Sequence, residues 1–134
     1  MRAVRFGSCV SAFALVAALC ADPAAAQRPP VDVETLIAAP LSPNTGIALA
    51  RAQIADRDLL GAAGTLERVV LAHPEAVSPR LLYASILCRL DDVEGAEVEV
   101  AALNGYPLAE ADWAEVTRAC GDIPRPAAPR SRQR

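Results

Sequence analysis

A chain of 134 residues with 13 basic and 16 acidic side chains, net charge −3, has room for one small domain. From residue 28 to residue 121, seven arginines face fourteen acids, a balance of −7. Phosphate backbones call for clustered positive charge, so this body argues against a nucleic-acid partner. Lysine is absent altogether, which reads as the codon bias of a GC-rich genome more than as a functional choice.

Residues 1–26 read as a secretion signal. Arg2 and Arg5 lead, "VSAFALVAALCA" follows as a short apolar run, and "ADPAAAQ" places small residues for cleavage between Ala26 and Gln27. The run is shorter than the roughly 20 apolar residues that span a bilayer. Cys20 raises the alternative of a lipid anchor, but Leu19 stands where a lipoprotein signal wants a small residue. The address is therefore export, to the periplasm or outer envelope of a Gram-negative bacterium.

Residues 27–41 form a proline-bounded extension with space for a turn or two of helix at "DVETLIAA". Residues 42–121 carry the helical domain. "SPNTGIALARAQIA" starts with a Ser-Pro pair, a capping residue and a proline at the first helical position, and Ile47, Ala50 and Ile54 recur at helical spacing. "DLLGAAGTLERVVLA" is capped by Asp58, with Leu59, Ala63, Leu66 and Val70 on one stripe. Ser78-Pro79 opens a third helix striped by Leu82, Ile86, Cys88 and Leu90. Asp92 caps a fourth, "VEGAEVEVAAL", and Asn104-Gly105 stops it. Within it "AEVEV" also alternates as a strand would, but Ala96, Val100 and Leu103 fit helical spacing and decide for helix. A fifth helix, "LAEADWAEVTRAC", points Leu108, Ala111, Val116 and Cys120 inward. Residues 122–134, rich in Pro, Ala and Arg, bury too little apolar surface to offset their ordering entropy and are expected to be disordered; their net charge is +3.

A shift of 34 residues relates two parts of this domain. It lays Asp92 on Asp58, Gly95 on Gly61, Ala96 on Ala62 and Val100 on Leu66, and pairs Ala84 with Ala50, Leu81 with Ile47 and Tyr83 with Leu49. Small meets small and large meets large through two helices, the mark of stacked helix pairs that bury each other's open faces.

In this pattern the chain resembles the tetratricopeptide repeat family. Ala50, Ala62, Leu66 and Pro74 stand at the family's small, small, large and closing-proline positions in the first unit. Ala84, Ala96 and Val100 stand there in the second, after the turn "LDDVEGA". The likeness covers residues 43–105; the aromatic positions of the first helices are mostly missing, and no proline closes the second unit. It implies an all-α stack of antiparallel helix pairs, two repeats plus a capping helix that uses Trp113 or Val116. It also implies a shallow groove for a protein or peptide segment, with Arg51, Ser85 and Arg89 facing it; ordinary solvated residues are the alternative. Cys88 and Cys120, the two cysteines left after signal removal, fall near the ends of neighbouring helices in such a stack, within reach of a disulfide. Two buried free thiols are the alternative.

Catalysis finds little footing. His73, the one histidine, precedes Pro74 in a turn and reads as a solvated loop residue; Ser-His-Asp or Cys-His chemistry would both need it. "GAAG" lacks the lysine and the preceding strand of a phosphate loop. Asp91, Asp92, Glu94, Glu97 and Glu99 lack the ligand alternation of a calcium loop. No catalytic residue, metal ligand or cofactor is assigned. The sequence points to a non-enzymatic interaction module, an accessory to an envelope assembly or secretion complex. One alternative is a structural accessory that acts through its basic tail on an acidic partner or anionic lipid, and another is a small enzyme. Membrane association would come only through the tail or a partner, and oligomeric state is not encoded in these patterns.

Overall fold

The structure is a computed structural model that describes residues 32–130; the expected signal, with its cleavage point at Ala26 and Gln27, lies outside them. All regular structure among the described residues is helical. Helix α1 spans Val33–Ala38 and runs into a 3-10 turn, Ala39–Leu41; α2 is Pro43–Ala55, α3 Leu59–Ala72, α4 Val77–Arg89, α5 Val93–Ala101 and α6 Glu110–Cys120.

The 34-residue shift is written into the backbone. Asp58 and Asp92 cap α3 and α5, their carboxylates accepting from the N–H groups of Gly61 (2.8 Å) and Gly95 (2.9 Å). The residue before each cap is left-handed, Arg57 at φ 62° and Asp91 at φ 65°. Asp58 N–H then reaches Gln53 O (2.8 Å) and Asp92 N–H reaches Leu87 O (2.9 Å), again 34 apart. The glycine three residues after the cap has a local purpose: a Cβ at Gly61 or Gly95 would collide with the capping carboxylate. Close approach of a neighbouring helix is handled instead by the alanine that follows.

Packing runs α2 on α3, α3 on α4, and α4 on both α5 and α6. Ala50, Ala62, Ala84 and Ala96 are each fully buried, as are Leu66 and, within 2 %, Val100. Ala50, Ala62, Leu66, Leu82 and Ile86 form one apolar cluster, while Leu81, Ala84, Cys88, Ala96, Val100, Leu103, Trp113, Val116 and Ile123 form the next. Both Trp113 and Val116 of α6 therefore cover the second pair. An Ala96→Leu side chain has no space at this crossing and should cost roughly 1–3 kcal/mol. Melting equal to wild type would show that α5 does not sit where it is drawn.

Three local expectations are corrected, and one position is added. Helix α4 starts at Val77 with Ala76 as an uncapped N-cap, so Ser78 lies inside the first turn. There Pro79 is tolerated because first-turn N–H groups have no helical partner, and Ser78 Oγ donates to Asp112 Oδ2 of α6 at 2.6 Å. Ala111 is exposed, and Trp113 takes the inward position. His73 is not solvated: its half-buried ring donates from Nε2 to Pro40 O at 2.9 Å and ties the 3-10 turn to the end of α3. The carbonyl can only accept, which fixes the tautomer. Gly46, unremarked in the sequence, is buried in α2 where a Cβ would strike Val69 and crowd Ala39 O.

The start of the tail is held against the domain. Residues 122–130 form no helix or strand, yet Ile123 is 7 % exposed and belongs to the second apolar cluster. Gly105, at φ 86°, donates to Ala127 O (2.9 Å), and Ala127 N–H donates to Asn104 Oδ1 (2.9 Å). Arg125 lies over the Trp113 ring, 5.5 Å from its centroid, and its guanidinium grips both Glu110 carboxylate oxygens. Low apolar content is an average over the tail, and one isoleucine beside an open apolar edge outweighs it locally.

The Arg125 hydrogen bond and charge hold the Glu110 carboxyl below its ordinary value. A depressed carboxylate stabilises above its unfolded value, about 4.3, and the contribution disappears as pH falls through the lower folded value. Trp113 is the only tryptophan, so its emission reports on this clasp. It should change below about pH 4 while helicity persists, and Arg125→Gln should show the altered emission already at neutral pH. Identical acid titrations for the two proteins would sink the assignment.

Candidate functional site: a groove across three helices

Helix α4 separates two electrostatic environments. Tyr83 is half-buried on one side, its hydroxyl pushed up by burial and then by the charges of Glu67, Glu99 and Asp92. Ser85 and Arg89, one turn apart, lie on the other side, because residues two apart on a helix point to nearly opposite faces.

On that second side α4 and α6 enclose an open depression of about 380 Å³, lined by Ser85, Arg89, Glu115, Arg118 and Ala119. Arg51 of α2 reaches its far wall, its two terminal nitrogens lying 3.0 and 3.5 Å from the two Glu115 carboxylate oxygens. Three helices thus contribute to one face, and Arg51, Ser85 and Arg89 converge on it. Ser85 differs from the sequence expectation in one respect. It is 2 % exposed and its hydroxyl donates to Leu82 O at 2.8 Å, so it forms the floor by its small size and offers no free hydroxyl.

Glu115 and Arg118 were not singled out by sequence. They lie on α6, beyond the span covered by the 34-residue correspondence, and no local pattern marks them. The disulfide between Cys88 and Cys120 pins the two walls directly beside the depression, with Cα atoms 5.1 Å apart. Arg89 follows Cys88 and Ala119 precedes Cys120, so the covalent link fixes the spacing of the lining residues.

Charge here runs against the rest of the body. Three arginines and one glutamate share the face, and among the described residues neither Arg89 nor Arg118 forms an ion pair. Arg80, the one partly buried arginine among the described residues, is occupied elsewhere, bonded to Glu99 of α5 and to Pro74 O. Comparison with family models, curated proteins and solved structures finds no match for this chain.

As chemistry, the face offers guanidinium forks suited to carboxylate recognition. The lining holds no nucleophile with a base beside it. Among the described residues no group of three His, Cys, Asp or Glu side chains is arranged to hold a metal ion. His73 is at the N-terminal end of the stack, engaged with Pro40.

Proposed function

We propose that this protein is a non-enzymatic interaction module of the bacterial envelope, built in the tetratricopeptide manner, and that it binds a protein segment along the α2–α4–α6 face. One observation carries the reading: Arg51, Ser85 and Arg89, from two different helices, meet α6 around one depression. The disulfide is compatible with an oxidising compartment and supports export. The partner is a component of an assembly or secretion complex, and the protein acts as its accessory.

A photo-crosslinker at Ala119, in the groove, and another at Leu60, 75 % exposed on α3, test this in the producing cell. A discrete adduct from position 119 that is absent from position 60 is the expected result. Equal labelling from both positions, or none from 119, would remove the groove from the proposal.

The second reading, action through the basic tail, draws on the strap described above, which holds the chain to the domain as far as Ala127. Deleting 122–134 would also take Ile123 from the core, so the informative deletion is 128–134. Loss of binding to an acidic protein or to anionic vesicles on that deletion, with groove adducts unchanged, would favour the tail.

A further inference from the structure

We infer that the groove's ligand is a polypeptide segment bearing carboxylates, and that Glu115 is its built-in competitor for Arg51. The inference rests on the groove reading above and names its ligand class and its control.

Two guanidiniums, Arg89 and Arg118, line the depression from opposite walls without an ion-pair partner among the described residues. The third, Arg51, displays the recognition mode itself: it holds a carboxylate through two nitrogens, the paired geometry that makes arginine selective for planar anions. That carboxylate belongs to the domain. The pair lies at the surface, with side-chain exposures of 52 % and 30 %. Exposed ion pairs contribute little net stability, so an incoming carboxylate can take the place of Glu115 with little loss. Glu115 then swings into water, and the Arg51, Arg89 and Arg118 forks all face ligand.

The surrounding charge distribution selects the same ligand sign. Glu67, Glu99 and Asp92 cluster about Tyr83 on the opposite side of α4, and residues 28–121 carry a balance of −7, so within this body an anionic segment is favoured at this face. Local fields of this kind steer encounter and set the salt dependence of the rate. A small metabolite acid would remain mostly in solvent in so open a depression. A chain crossing α4 can engage Arg51 and Arg118 together. Ser85 and Ala119, both small, leave room for its backbone. The lining has no large apolar side chain, so the interaction is electrostatic and salt-sensitive.

The probe is a fluorescein-labelled hexaglutamate peptide, with hexaglutamine and hexalysine as controls, titrated against the full exported chain by anisotropy at low and physiological salt. Hexaglutamate should bind and the controls should not, with affinity falling steeply as salt rises. Glu115→Gln should tighten binding by about threefold or more, since it removes the competitor and one like charge. Arg89→Gln with Arg118→Gln should weaken it by about tenfold or more. All these side chains are at the surface or line the open groove, so the fold is retained and is checked by circular dichroism. Two outcomes overturn the inference: the double arginine variant binding like wild type, or Glu115→Gln binding more weakly than wild type. If hexaglutamate fails to bind while Ala119 adducts still form, the ligand class falls and the groove reading stands. If the adducts are absent as well, the groove reading falls with it.

Discussion

Removing the Cys88–Cys120 bond is expected to lower the unfolding free energy by roughly 3–4 kcal/mol. The bond closes a loop across a sequence separation of 32 residues, and in the chain-entropy view its effect lies mainly in restricting the unfolded chain. Against the 5–15 kcal/mol of a typical domain this is a large fraction, and for about 100 residues it corresponds to a melting shift on the order of 20 °C. Two variants separate the causes. Reduction leaves both sulfurs in place, with Cys88 7 % exposed, and so reports on the crosslink alone. Cys88→Ala with Cys120→Ala adds the loss of packing and should be less stable still. Calorimetry of oxidised and reduced protein decides: superimposable transitions would mean the bond does not constrain the unfolded chain. Because the bond also pins α4 to α6, the reduced protein should lose groove affinity as well, through the mobility of Arg89 relative to Arg118.

What could be read beforehand follows the range of the interactions involved. Asp58 and Asp92 were recognisable as caps because capping acts within three residues. The alanine positions were recognisable because a repeat states the same packing requirement twice; all four are fully buried. Contacts between distant residues left no such trace. Arg51 and Glu115 are 64 apart, His73 and Pro40 are 33 apart, and Arg80 and Glu99 are 19 apart. Nothing local in any of these stretches announces its partner. Arg57 shows the same limit for the backbone. A left-handed arginine is uncommon, and only the turn it shares with Asp91 explains it. The groove was half legible on the same grounds. Arg51 and Ser85 occupy equivalent places in the repeated helices, 34 apart, whereas Glu115 and Arg118 come from a helix outside that register.

Replacing Leu66 by alanine tests the stack at one of its fully buried large side chains, and its cost should be about 2–5 kcal/mol. Leu66 is fully buried in α3, in one cluster with Ala50, Ala62, Leu82 and Ile86. It therefore joins α3 to both α2 and α4. The cost has two parts, the lost transfer free energy of the removed atoms and the cavity that stays behind. On the facing helices, Ala50 of α2 is too short to fill that cavity, which leaves Leu82 and Ile86 of α4 to relax into it. Leu71, on the same helix but 75 % exposed, supplies the control. Leu71→Ala should change stability by no more than about 0.5 kcal/mol, as surface substitutions do. The comparison holds residue type, helix and truncation constant and varies only the face. Urea unfolding of the two variants measures it, the midpoint falling for Leu66→Ala with an unchanged slope. Equal midpoints would mean that α3 is rotated about its axis, and the 34-residue register that makes Leu66 the counterpart of Val100 in the second unit would then have to be abandoned.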